Sequence, residues 1–365
     1  APNGYVRGTE TQEFTFEYQG DKTTQAVYEF TFEDVQTSVE LSKADLTDGK
    51  ELPGASLQVL DSNGTVVEEW ISTDEPHLIR GLLVGETYTM VETKPADGYT
   101  TAESIEFKVE DTAEVQKHQM LDDVTKVEIS KTDVTDSKEV PGAKLTILDK
   151  DGKVVESWVS KKDPHMVEKL PVGTYTLREE QAPDGYLVAE EVSFEVKDTG
   201  EIQKVEMKDA RPVGKLVLKK TDAEDGSPLA GAEFELRIKK SGKVVATLVT
   251  DEEGVATSGD IPIASYKDGK MKKEIEYILV ETKAPDGYVR SEKEESIVFT
   301  YQDDKTKEIE ITKELTNERI PTGDYVKSPK TGDDTNIWLP ILLLVLSVGG
   351  IAGIFWYTKK KNHEE

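Results

Sequence analysis

The stretch ETKAPDGY, residues 281–288, decides the fold because the chain repeats it. EEQAPDGY stands at 179–186, ETKPADGY at 92–99 with the proline shifted by one, and the chain opens on APNGY, residues 1–5. A motif that recurs at domain-sized intervals belongs to a repeated module. Each full copy begins with a short strand: VELSKAD (39–45), VEISKTD (127–133) or LVLKKTD (216–222). A Gly-containing turn leads to a second strand, PGASLQVLD, PGAKLTILD or AGAEFELRI, and DSNG and DKDG then give hairpin signals in the first two copies. VVEEWIS and VVESWVS place Trp70 and Trp158 equivalently, read as core residues. VGETYTMVE and VGTYTLREE run into the opening motif, and one or two more strands close the unit. Short strands, frequent turns and no convincing amphipathic helix indicate a small β-sandwich. Lys131 follows Lys43 by 88 positions and Lys220 follows Lys131 by 89, the size of one compact sandwich.

The totals suggest a multidomain protein. A chain of 365 residues suggests two to four domains. It has no cysteine, so neither disulfides nor thiolate metal sites are available. A net charge of −28 argues against nucleic acid as a partner. The acidic residues fall within β-patterned segments, so they form a solvated surface and not a disordered tail. With no secretory signal, no initiator methionine and a motif fragment first, the chain reads as a mature or truncated piece of a longer protein. Residues 337–357, IWLPILLLVLSVGGIAGIFWY, are apolar throughout and long enough to cross a bilayer as a helix. Trp338, Trp356 and Tyr357 mark its ends, and TKKK follows, which keeps the short tail cytoplasmic and the rest outside.

Strand parity singles out reactive residues, because positions i, i+2 and i+4 share a face. Val39, Leu41 and Lys43 share one, as do Val127, Ile129 and Lys131, and Leu216, Leu218 and Lys220; this selects Lys220 over Lys219. Tyr175, Leu177 and Glu179 likewise align, as do Tyr277, Leu279 and Glu281, favouring Glu179 over Glu180; Glu92 is the equivalent in the first full copy. The closing strands pair Met120 with Asp122, Met207 with Asp209 and Leu315 with Asn317. Every copy thus aims a lysine, a glutamate and an Asp or Asn at its core, where charges must be paired or neutralised. Two readings stand at this point. One is a buried salt-bridge cluster, or a parity misled by bulges. The other is an intramolecular Lys–Asp or Lys–Asn isopeptide bond. An apolar site favours a neutral amine beside a neutral acid. The amine is then a nucleophile, the carboxyl or amide carbon an electrophile, and the glutamate a proton shuttle that stabilises the tetrahedral intermediate.

The run SKADLTDGKELPGA…VETKPADGY…MLDD closely resembles the Cna protein B-type domains, also called SpaA-like prealbumin-fold domains, which are the isopeptide-forming modules of Gram-positive adhesins and pilins. The resemblance spans nearly all of residues 1–320. It implies an all-β protein of tandem Greek-key, prealbumin-like β-sandwich repeats followed by one C-terminal transmembrane helix. The implied divisions are a truncated remnant at 1–36, repeats at 37–124, 125–212 and 213–320, and a linker, sorting signal, span and basic tail at 321–365. Carried over, Lys43 bonds Asp122 with Glu92 assisting, Lys131 bonds Asp209 with Glu179 assisting, and Lys220 bonds Asn317 with Glu281 assisting. Asp34 resembles the acceptor of the truncated copy. The motif glutamate is then the catalytic assistant, Pro-Asp-Gly a turn out of its strand, and the tyrosine a packing residue.

Ser328, Pro329, Lys330, Thr331 and Gly332, placed before the apolar span and lysine cluster, resemble the sortase cell-wall sorting signal, with serine in place of the usual leucine. That resemblance implies that a sortase attacks the Thr331 carbonyl, releases Gly332 onward and passes Thr331 to an amine of a cell-wall peptidoglycan precursor. The implied location is the cell surface, covalently on the wall, with only transient membrane insertion.

Weaker signals remain. The third copy is lengthened around 258–276, either as a binding loop or as decoration. His77 and His165 sit in matching EPH and DPH contexts that suit a repeated turn, and no metal site or cofactor is expected. DKDGK resembles part of a calcium loop but lacks its final glutamate, and reads as a hairpin. Three functions follow: a wall-anchored stalk presenting an N-terminal region that binds a host matrix protein or cell-surface ligand, a sortase-assembled pilin subunit, or the stalk of a surface enzyme. The first is favoured because repeats next to a wall anchor are spacers by position.

Overall fold

The computed structural model describes residues 1–321 except 9, 10, 12, 23, 24 and 26. The sorting motif at 328–332, the apolar span and the basic tail lie outside the described residues. Within them, every regular element is a β-strand. Repeat 1 carries β1 (Ser38–Asp45), β2 (Ser56–Leu60), β3 (Val66–Ile71), β4 (His77–Arg80), β5 (Thr87–Lys94), β6 (Ile105–Lys108) and β7 (Gln116–Asp122). Repeat 2 carries β8 (Lys126–Asp133), β9 (Lys144–Leu148), β10 (Val154–Val159), β11 (His165–Glu168), β12 (Gly173–Gln181), β13 (Val192–Val196) and β14 (Ile202–Asp209). Repeat 3 carries β15 (Val213–Asp222), β16 (Glu233–Ile238), β17 (Val244–Val249), β18 (Val255–Thr257), β19 (Ile261–Pro262), β20 (Ala264–Lys267), β21 (Lys270–Glu274), β22 (Glu276–Lys283), β23 (Glu295–Val298) and β24 (Glu308–Asn317).

Two sheets face each other in each repeat. In repeat 1 the orders are β4-β1-β7 and β3-β2-β5-β6, and repeat 2 reproduces them as β11-β8-β14 and β10-β9-β12-β13. In repeat 3, β15 pairs with β18, β19 and β24, opposite β17-β16-β22-β23. The first and last strands of every repeat are parallel neighbours, and the other ladders are antiparallel. Alternating side chains fill one core per repeat: Leu41, Leu57, Met90, Phe107 and Met120 in the first, Ile129, Leu145, Leu177 and Met207 in the second, Leu218, Phe234, Tyr277 and Phe299 in the third. Each such residue removed from water contributes about 1.5–3 kcal/mol. The register shift in β12 falls between Glu179 and Gln181, just past the parity set, so Tyr175, Leu177 and Glu179 all remain buried.

The junctions explain the glycine of the motif. Gly98 has φ +87°, and a Cβ there would overlap the backbone of Lys169 in repeat 2. Thr125, fully buried between the two repeats, donates its amide to Gly98 O (3.0 Å) and its hydroxyl to Leu170 O (2.6 Å), while Lys169 N donates to Thr125 O (3.1 Å). Thr37 does the same between the opening segment and repeat 1, with Gly4 O (3.0 Å) and Leu82 O (2.7 Å). The junction of repeats 2 and 3 is built differently. There the β20–β21 hairpin, within the lengthened stretch, folds against repeat 2. Tyr266 OH donates to Gly185 O (2.5 Å), its ring meets Tyr186 edge-on at 5.2 Å, and Met271 packs on Gly185. The added length is therefore a brace between repeats, neither an isolated binding loop nor decoration. In the opening segment Tyr5 pairs with Gln36, and the exposed ring of Phe14 meets Phe16 edge-on at 5.2 Å and Phe30 at a tilt at 4.7 Å.

Candidate functional site

Lys43, Glu92 and Asp122 meet inside repeat 1, at 2%, 5% and 0% exposure. β1 supplies the lysine and β7 the aspartate on one sheet, and β5 supplies the glutamate from the facing sheet. The lysine amine contacts Asp122 Oδ1 directly and lies 3.0 Å from Glu92 Oε1. Ala102 N donates to Glu92 Oε2 (2.6 Å), which aims the other oxygen at the amine. Repeat 2 repeats the arrangement: Lys131 contacts Asp209 Oδ1 and lies 3.2 Å from Glu179 Oε2, which accepts from Ala189 N (2.7 Å). In repeat 3 Asn317 Nδ2 donates to Glu281 Oε1 (2.9 Å), Lys220 Nζ is 3.9 Å from the same oxygen, and Ser291 N donates to Glu281 Oε2 (2.6 Å).

The protonation of these groups follows from burial. One ammonium cannot balance two carboxylates in an apolar site, so one proton stays with the pair. Burial pushes the Asp122 and Asp209 carboxyls up to about 7, with Glu92 and Glu179 adding to the rise and the lysines opposing it. Asp122 Oδ2 and Asp209 Oδ2 have no hydrogen-bond partner, and neither have Glu92 Oε1 and Glu179 Oε1 in bonding geometry. A proton shared between the two carboxyls satisfies both. Burial lowers Lys220, favouring its neutral amine, and Asn317 Oδ1 is unpartnered. All nine sequence-predicted residues are thus brought together in three sets. Asp34 is different: it is exposed, and no lysine pairs with it among the described residues.

The SpaA prealbumin-like fold domain matches residues 37–123, 125–211 and 214–315. The chain belongs to this family. No curated protein matches it. Among solved structures, it is similar to the Bacillus anthracis TIE protein, with 27% identity, a TM-score of 0.51, and 78% of this chain and 52% of that one covered. The chain therefore spans about half the length of that protein. BcpA, the major pilin subunit of Bacillus cereus, is 19% identical with a TM-score of 0.44, covering 78% and 99%. The full-length major pilin SpaD from Corynebacterium diphtheriae is 17% identical with a TM-score of 0.37, covering 78% and 98%.

The SpaA-like repeats hold two features that sequence reasoning missed. The motif tyrosine is more than packing: Tyr99, Tyr186 and Tyr288 each donate to an aspartate of their own repeat, Asp45, Asp133 and Asp222, at 2.7 Å. The signal was available, since Lys-x-Asp continues the inward parity of every first strand. Trp70 and Trp158 are half-buried against the core and not enclosed by it. His77 and His165 stack on them, each at 4.4 Å between ring centroids, and reach Glu68 (2.9 Å) and Glu156 (2.6 Å). The EPH and DPH histidines therefore cover the tryptophans at the sandwich edge.

Proposed function

We propose that the three repeats crosslink themselves and form a tension-bearing stalk of a cell-surface protein, which a sortase attaches to the wall through Thr331. The supporting observation is the burial of a lysine, a glutamate and an Asp or Asn in one cluster, three times over, with the lysine and the Asp or Asn on the strands that begin and end each repeat. The Lys43 amine attacks Asp122 Cγ. A C–N bond forms as one C–O bond breaks, and Glu92 takes a proton from the nitrogen and returns it to the departing hydroxyl, which leaves as water. Lys131, Asp209 and Glu179 react alike. In repeat 3 the C–N bond of the Asn317 carboxamide breaks, Glu281 relays the proton, and ammonia leaves. A cavity of about 300 Å³ beside Lys220 and Glu281 gives that ammonia room. Each site turns over once.

Attachment is supported by the order of the SPKTG motif, apolar span and lysine cluster in the sequence. Intact mass tests the chemistry: the folded protein should weigh two waters and one ammonia less than its sequence, and Lys131→Ala should restore one water only. A mass equal to the plain sequence excludes self-crosslinking. Attachment is tested by muramidase digestion, which should release protein ending at Thr331 linked to wall fragments. Surface protein still ending at Glu365 would count against sortase processing.

A further inference from the structure

We propose that the motif tyrosine and the aspartate two residues beyond the reactive lysine are a positioning pair for crosslinking, and that docking of repeat 2 completes this pair in repeat 1. The proposal rests on the crosslinking reading above. Its starting point is a geometric problem. Lys43 and Asp122 share a sheet, but Glu92 belongs to the facing sheet, so the reaction depends on how closely the sheets approach at this end. The Asp45–Tyr99 hydrogen bond spans that gap. Asp45 ends the lysine strand, and its Oδ1 accepts from Thr47 N (2.7 Å). Its Oδ2 accepts from Tyr99, in the loop that leaves the glutamate strand.

The same strand end also holds the acceptor. Asp45 stands in register with Asp122, and Leu46 N donates to Asp122 O (2.8 Å). One short segment therefore ties together the backbones of all three participants. Repeat 2 has the same ties through Asp133, Tyr186 and the Val134 N to Asp209 O bond (2.9 Å). Repeat 3 has them through Asp222, Tyr288 and the Ala223 N to Asn317 O bond (3.0 Å). Three independent occurrences make this part of the site and not a local accident of packing.

In repeat 1 the next repeat then closes the pair. Lys169 of repeat 2 donates to Tyr99 Oη (2.5 Å) and Asp45 Oδ2 (3.2 Å). In repeat 2 the cation, Arg211, belongs to the repeat itself: its Nε donates to Asp133 Oδ2 (2.7 Å), and repeat 3 adds only the ring of Tyr266, whose centre lies 4.0 Å from the guanidinium. Repeat 1, before it meets repeat 2, lacks the Lys169 contacts. Crosslinking in repeat 1 is thereby coupled to docking of repeat 2.

The test follows each bond separately in the full-length protein. Protein is synthesised in a cell-free system supplied with detergent, pulse-labelled, chased, quenched in denaturant and digested, and the linked peptides of the three repeats are quantified against time. Tyr99→Phe should slow the Lys43–Asp122 link by about tenfold or more, since small misplacements of reacting groups cost rates of this order. The links of repeats 2 and 3 should keep their rates. Lys169→Ala should slow the link of repeat 1 and not that of repeat 2, in which Lys169 resides, and Lys169→Arg should restore it. Limited proteolysis of the same samples shows whether repeat 1 is folded. A wild-type rate in Tyr99→Phe overturns the proposal, as does loss of the repeat 1 fold in that variant. Absence of every linked peptide from the wild-type protein is a separate result that removes the crosslinking reading itself.

Discussion

Lys43 stands opposite Met120 in the parallel β1–β7 ladder, so its amine reaches Asp122 diagonally, two residues further along. Parallel pairing means that the polypeptide enters the ladder at Ser38 and leaves at the opposite end, by Asp122. Tension applied through the neighbouring repeats would shear this ladder. A bond from Lys43 to Asp122 leaves only the start of β1 in the path of force and bypasses everything between. It also closes a loop of 79 positions, which by analogy with disulfides limits the unfolded ensemble and adds roughly 4 kcal/mol. The mechanical effect exceeds the equilibrium one, because ladder hydrogen bonds rupture under load and an amide bond does not.

Single-molecule pulling on residues 1–320 reads this directly. The wild-type protein should extend little, with no long unfolding step from any repeat. Glu92→Ala, Glu179→Ala and Glu281→Ala combined should give three such steps. Three long steps from the wild type would exclude the stalk role.

Crosslinking should respond to pH differently among the repeats. In repeats 1 and 2 the Lys, Glu and Asp groups must hold two protons between them, one on the aspartic acid and one passing between amine and glutamate. Asp122 and Asp209 are raised to about 7, so they stay protonated below that pH and lose the required proton above it. Their crosslinking rates, followed by mass during refolding of unreacted protein, should fall about tenfold per pH unit above 7. Repeat 3, with an amide acceptor, should show no such fall. Identical profiles in all three would contradict the role given to the aspartic acids.

Gly98 and Gly287 offer a matched comparison, since both have φ +87°. Alanine at either costs about 1–2 kcal/mol from the left-handed backbone alone. At Gly98 the added carbon also meets the backbone of Lys169, whereas nothing lies within 4 Å at Gly287. Gly98→Ala should therefore destabilise more than Gly287→Ala, with hydrogen exchange quickening at the Thr125 amide. Equal losses would mean that the junction yields freely.

Removing the Tyr266 phenol should loosen the second junction by about 1–3 kcal/mol, from one lost hydrogen bond and half-buried ring contacts. Hydrogen exchange at Val188, whose amide donates to Asp304 O (2.8 Å) across that junction, should rise in Tyr266→Ala. Unchanged protection there would show that the hairpin is not a brace.

The sequence made the core of each site legible because period-2 alternation survives throughout the strands carrying Lys43, Glu92 and Asp122. The β12 irregularity left that reading intact because it falls after Glu179. Only the aspartate half of the tyrosine contact was signalled by parity, because Tyr99 lies outside the strands, where parity says nothing about direction. The Trp70–His77 stack joins strands of different sheets, which alternation within one strand cannot pair. The brace escaped for a related reason: Tyr266 and Met271 pack on the core of repeat 3, and nothing in their own spacing reveals that Tyr266 also meets Val140, Ala182 and Tyr186, and Met271 meets Gly185, of another repeat.

The hairpin has a consequence for inheritance. Thr37 and Thr125 form equivalent junctions, so repeats of the first kind can be duplicated or deleted in a gene and still meet a matching neighbour. Repeat 3 cannot be shuffled in this way, because Tyr266 and Met271 fit the end surface of repeat 2 and would lose those contacts against another. Lineages that vary the length of this protein should therefore gain and lose repeats on the N-terminal side of repeat 2, with repeats 2 and 3 passed on as one block.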